Sequence, residues 1–141
     1  MTQTYSEADI DQVLHQHDLC ANGFVYNQRK NGQQVPVGKV GDTGGWPLTG
    51  MVNFAAKRMG DVRRVKSPTG FAPSYPLKHL IERSWTPDDA EIDHGYVCNG
   101  AVIAAAYLMG LPVLPAHPWH KGPNALIGIS SAHCRKLWET R

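Results

Sequence analysis

The apolar positions along this chain repeat with different periods, and those periods predict the elements. Ile10, Val13 and Leu14 share one helical face behind Ser6 and Asp9, which have the spacing of a capping box. A first helix is therefore expected from Ser6 to about Asp18. Phe24–Tyr26 and Val35–Val37 are short extended runs on either side of Asn31-Gly32, a pair that tolerates positive φ, and they predict a β-hairpin. Pro36 cannot donate to a ladder, so the second strand belongs at an edge. Leu48, Met51, Val52, Ala55 and Met59 form an amphipathic stripe, with Pro47 at the first turn and Gly60 at the C-terminal cap. A short extended piece is expected over Val62–Val65. From Pro76 another helix points Leu77, Leu80, Ile81 and Trp85 inward and pairs Lys78 with Glu82 on the outside. Thr86-Pro87-Asp88-Asp89 reads as the start of a short helix ended by Gly95.

The run Tyr96–Gly110 is apolar all round and rich in small residues, which predicts a central buried helix over about 96–110. Leu111–Pro123 holds four of the ten prolines and is expected to be a loop. Asn124–Ile129 suits a last strand, and Ser130 or Ser131 then caps a final helix carrying Leu137 and Trp138. The fold expected is α+β: one domain over residues 1–141, helix-rich, with a small antiparallel sheet around the central helix.

Composition narrows the function classes only modestly. A chain of 141 residues buries roughly two-thirds of its unfolded surface and needs no metal or disulfide to fold. Charged residues make up 18%, below the usual quarter, and the 14 glycines and 10 prolines are spread through apolar segments, which favours ordered loops over disorder. Cys20, Cys98 and Cys134 form an odd set without framework spacing, and the N-terminus lacks signal-peptide character. Free thiols and a cytoplasmic location are expected. Tyr96–Pro115 is broken by Asn99, two glycines and Pro112, so no membrane partner is expected. A net charge of +2 does not demand a polyanion, but the cations are clustered: Arg58, Arg63, Arg64 and Lys66 mid-chain, Arg135, Lys136 and Arg141 at the end.

Several groups could carry chemistry. Cys98 stands near the start of the central helix, where the dipole and free amides stabilise thiolates. Cys98-Asn99-Gly100-Ala101-Val102, running on to Gly110, resembles the nucleophile helix of papain-like NlpC/P60 peptidases. That resemblance implies a thiol hydrolase with Cys98 as nucleophile and a downstream histidine, His117 or His120, as its partner. Val97 stands where that family has an Asp, and no downstream strand carries its histidine. His117 and His120 also have H-x-x-H spacing and, with His94 and Cys98, could complete a tetrahedral zinc site in a metal-stabilised interaction domain. His15, His17 and Cys20 make a poorer set, because residues two apart on a helix do not converge. The glycine-rich stretch Gly41–Gly50 precedes a helix and could present amides to an anion, although it lacks the P-loop lysine and the dinucleotide fingerprint. Gly128–Trp138 has the flavour of a recognition helix.

Against these stands a non-catalytic binding protein, which the sequence favours. Trp46 with Arg58, Arg63 and Arg64 around one loop–helix unit combines an aromatic surface with positive charge, the mix found at nucleotide sites and protein hot spots. The expected ligand is anionic, a nucleotide or nucleic acid, or else a protein surface, with oligomers allowed and no resident cofactor or metal. Asn99–Ala106 followed by Gly110 also resembles small phage or prophage proteins, which implies an inhibitor-type binder.

Overall fold

Helix α1 (Glu7–Gln16) begins on a closed capping box: Ser6 Oγ accepts from the Asp9 amide, and the Asp9 carboxylate accepts from the Ser6 amide, both at 3.1 Å. The computed structural model describes residues 3–117 and 121–138, with Leu137 described by its backbone alone. After α1 come a minimal antiparallel pair, β1 (Leu19–Cys20) with β2 (Gly23–Phe24), and then the hairpin β3 (Tyr26–Lys30) with β4 (Gln33–Val37). Asn31 and Gly32 form its turn, with φ of 53° and 78°. Pro36 sits opposite Asn27 in this two-stranded ribbon, where each strand is an edge. Helix α2 (Leu48–Met59) follows with the bounds that its apolar stripe predicts, then a 3₁₀ turn (Pro68–Gly70), β5 (Phe71–Pro73) and α3 (Ser74–Arg83).

Helix α4 (Asn99–Leu108) is the centre of the molecule. Residues Asn99 to Ala106 are all buried, and the helix packs chiefly against α2, with α1 and α3 alongside. Its small side chains let backbone come close. At Gly100 a Cβ would overlap the Cys20 carbonyl, and the Gly100 amide donates to Ala21 O at 2.8 Å. Strands β6 (Val113–Pro115) and β7 (Ala125–Ser130) follow, and β7 runs directly into α5 (Ser131–Trp138). The sheet order is β5-β7-β6, antiparallel throughout. One continuous apolar core joins the five helices to β1, β2, β5 and β7, with Val113 of β6 packed against it, and the α+β class with a small antiparallel sheet around a central helix is what the chain forms. No described helix is long and apolar enough to cross a membrane.

Five local expectations need correction. The central helix starts at Asn99, with Cys98 as its N-cap, because the preceding residues are held in extended loop. Strand β6 lies inside the Pro-rich stretch expected to be loop, and Val62–Val65 contributes only a bridge from Arg64 to Ile129. No helix forms over Thr86–Gly95. There Asp89 Oδ2 accepts from the Thr86 amide at 2.9 Å and the Asp89 amide donates to Thr86 O at 2.9 Å, closing a single turn with Pro87 at its second position. The Asp89 carboxylate is drawn into the core by Arg58 (2.6 Å) and Lys57 (2.8 Å), which stops the chain from winding on. Lastly, Lys78 and Glu82 do pair, at 3.2 Å, but Lys78 is buried. It is one of the buried positions of α3, with Ser74, Leu77, Leu80 and Ile81, whereas Trp85 lies beyond the end of the helix.

Candidate functional site

A cleft of about 540 Å³ opens where the N-terminus of α4 meets the β1–β2 turn, the base of the hairpin, α3 and the start of β7. The Lys78–Glu82 ion pair holds the segment leading into it. Lys78 Nζ donates to Val97 O at 3.0 Å, while the Val97 amide donates to Glu82 Oε2 at 3.2 Å, so the pair holds the backbone of one residue through both its amide and its carbonyl. The Lys78 ammonium also lies 4.7 Å from the centre of the Tyr96 ring. With a carboxylate, a carbonyl and a ring around it, this cation is matched in place.

Asn99, the first residue of α4, forms the floor and is only 6% exposed. Its two Nδ2 hydrogens are shared among three acceptors, Asn22 O (2.9 Å), Asn124 Oδ1 (3.1 Å) and Pro123 O (3.3 Å). Two of those acceptors are backbone carbonyls, which cannot donate. The amide therefore has one permitted orientation, and flipping it would set oxygen against oxygen. Its Oδ1 is consequently a true acceptor, and among the described residues it is buried with no hydrogen-bond partner. An unpaired buried acceptor costs about 1–3 kcal/mol. Gly23 is what lets the β1–β2 turn come this close: its φ is 121°, and a Cβ there would overlap Pro123 O. At the rim, the Tyr75 ring is 50% exposed.

Another depression, of 550 Å³, lies over Trp85, Glu91 and Asp93. Its buried carboxylate, Asp89, is fully engaged. Burial would raise that carboxyl, but hydrogen bonds from Lys57, the Thr86 amide and Arg58 outweigh burial and bring it down to about 2. That cluster holds structure together and leaves nothing for a ligand.

The residues singled out from sequence fall in separate places. Trp46, 40% exposed, lies against Tyr96 with ring centres 4.5 Å apart, at the N-terminal end of α2. Arg58 is near the other end of that helix, buried on Ser84 and Asp89. Arg63 and Arg64 lie beyond it, exposed, with Arg64 Nη2 on Met109 O at 3.1 Å. The expected aromatic–arginine patch is not assembled, because α2 separates its parts by about 18 Å. Cys98 is 2% exposed. Burial raises its thiol above the usual range, against the opposing pull of the Ala101 amide, its own amide and Lys78. His117 packs against Gly122 with its Nε2 unpartnered among the described residues, and His120 lies outside them.

His94 sits in loop beside Trp46 and shares no helical face with Cys98, because α4 begins only at Asn99. Among the described residues no group of three or more His, Cys, Asp or Glu converges as metal ligands. In the glycine-rich loop, the Gly44 amide is taken by Asp42 Oδ1 (2.8 Å) and the Gly45 amide by Thr43 Oγ1 (3.3 Å), so these amides serve the loop's own turn. Helix α5 follows a strand, which removes the first helix that a helix-turn-helix requires.

Asn99, Lys78, Asn22 and Asn124 are the cleft residues that sequence reasoning passed over. A signal existed for two of them: Asn99 is the one carboxamide in an apolar run, and Lys78 interrupts an inward stripe. No protein-family model matches this chain, and no curated protein or solved structure matches it significantly.

Proposed function

We propose that this chain is a non-catalytic binding protein whose ligand enters the cleft at the N-terminus of α4 and presents a planar ring bearing an N–H donor, the base of a nucleotide being the class that fits. The observation that carries this reading is the Asn99 carboxamide, oriented by three acceptors and left with a buried oxygen that only a donor can satisfy. Tyr75 offers a half-exposed face on which such a ring can stack. Because Lys78 is matched by Glu82, the floor favours the neutral base over phosphate, which stays towards the rim. A hydrolase mechanism would need an open, ionised thiol, and burial of Cys98 works against both.

The test is titration of nucleosides into isotope-labelled protein, followed by amide resonances. The side-chain NH₂ signals of Asn99 and Asn124 should shift saturably, and Tyr75→Ala should weaken binding at least about fivefold, as loss of one base–aromatic stack implies. Shifts confined to Trp46 and its neighbours, or none at all, would refute this site.

A further inference from the structure

Resting on the cleft reading, we infer that the β3–β4 hairpin is an arm that grips the phosphates of a single-stranded nucleic acid whose base occupies the cleft. Tyr26, Val37 and Gly38, at the base of the hairpin, form part of the cleft wall. Beyond them the ribbon leaves the core: every residue from 27 to 36 is exposed. A two-stranded ribbon without a packed face contributes little to stability by itself, so its composition is free to serve another purpose. From Gly23 through Gly41 the chain carries Arg29, Lys30 and Lys39 and no carboxylate. All three cations are exposed, and none forms an ion pair among the described residues. The remaining exposed side chains include Asn27, Gln28, Gln33 and Gln34, donors suited to phosphate and sugar oxygens.

The division of labour follows from where charge is matched. Inside the cleft Lys78 is neutralised by Glu82; outside it, the hairpin cations are not. A ligand that is neutral at the floor and anionic along the ribbon meets both conditions. Lys30 lies four residues along β3 from Tyr26, about 13 Å of strand, so the charges extend well past one nucleotide. The nucleic acid must be single-stranded, because Asn99 is buried at the floor and only an unstacked base reaches it. Strand addition by a protein partner suits the ribbon less: Pro36 lacks a donor, and edge cations discourage pairing.

Fluorescence anisotropy of the full chain decides the matter, using a short single-stranded oligonucleotide, the matching mononucleotide and a duplex of the same sequence over a salt series. The oligonucleotide should bind more tightly than the mononucleotide, and its log–log salt slope should approach about −2, at about −0.7 per phosphate neutralised. R29Q/K30Q, confined to exposed positions, should bring that slope towards about −0.7 and erase the gain over the mononucleotide. Tyr75→Ala should weaken the oligonucleotide at least about fivefold. Equal affinity for mononucleotide and oligonucleotide would overturn the arm while leaving the cleft reading intact. Duplex binding as tight as single-strand binding, unaltered by Tyr75→Ala, would overturn it as charge attraction alone. Binding of none of the three would remove both the arm and the cleft reading.

Discussion

Two buried cations each organise a polar cluster in this fold, and the clusters end differently. Arg58 donates to Ser84 Oγ at 2.8 Å, to Ser84 O at 3.1 Å and to Asp89 Oδ2 at 2.6 Å, with the Phe54 ring 4.8 Å from its guanidinium carbon. Asp89 in turn accepts from Lys57 and Thr86, so each charge in the cluster has a partner. Lys78 is matched too, by Glu82, Val97 O and the Tyr96 ring, yet its cluster borders a cleft where Asn99 Oδ1 has no partner among the described residues and Tyr75 lies half open. Buried charge is common to both, so it does not mark a site. What distinguishes the cleft from the closed cluster is the polar atom left unpaired among the described residues, and on the proposed reading a ligand donor recovers the cost of desolvating it.

The sharpest way to break the comparison is to remove the cation from the closed cluster. Arg58→Ala should cost about 3–5 kcal/mol, because it strands the buried Asp89 carboxylate without its closest partner. Thermal unfolding measures this, with an expected fall in Tm of roughly 10 °C or more. A change of only a degree or two would mean that Lys57 alone satisfies Asp89 and that the cluster is less closed than its geometry implies.

Acid probes the same cluster with a smaller effect. The folded Asp89 carboxyl titrates at about 2, below the ordinary value near 3.8. A depressed carboxyl contributes stability that is fully present above the unfolded value and is lost as pH falls through the folded one. Urea unfolding across a pH series should therefore show about 2 kcal/mol disappearing between about pH 4 and pH 2, and Asp89→Asn should flatten that slope. A variant with the same acid profile as the parent would place the loss elsewhere.

How much of this was legible in sequence follows the range of the interactions. The capping box of α1, the Asn31-Gly32 turn, the α2 stripe and the apolar α4 run are set by neighbours a few residues apart, and periodicity reports them directly. The false helix over Thr86–Gly95 failed because Asp89 answers to Arg58, 31 residues away. The start of α4 was misplaced for a similar reason, since Val97 is held by two side chains of α3. Asn99 stood in the very motif read for its cysteine. Its importance depends on Asn22, Pro123 and Asn124, separated from it by 77, 24 and 25 positions, and no local pattern reveals an acceptor left over from such an arrangement. The aromatic–arginine patch failed in the opposite sense: Trp46, Arg58, Arg63 and Arg64 are close in sequence, but a straight helix holds them apart.

The smallest expected effect concerns those last arginines and separates the cleft from the patch. Arg63 and Arg64 are exposed beyond the C-terminal end of α2, and among the described residues the one hydrogen bond from their side chains, Arg64 to Met109 O, is at the surface. R63Q/R64Q should change stability by no more than about 0.5 kcal/mol. Nucleoside affinity should be unaltered, because neither residue lines the cleft and both lie past the far end of α2 from Trp46. Oligonucleotide affinity should fall only by the loss of long-range attraction, which salt near physiological strength screens beyond about 8 Å. A large loss of nucleoside binding in this variant would reverse the comparison. It would place the ligand on exposed arginines rather than on the unpaired Asn99, and proximity in sequence would then have been the better guide to function than the accounting of buried polar atoms.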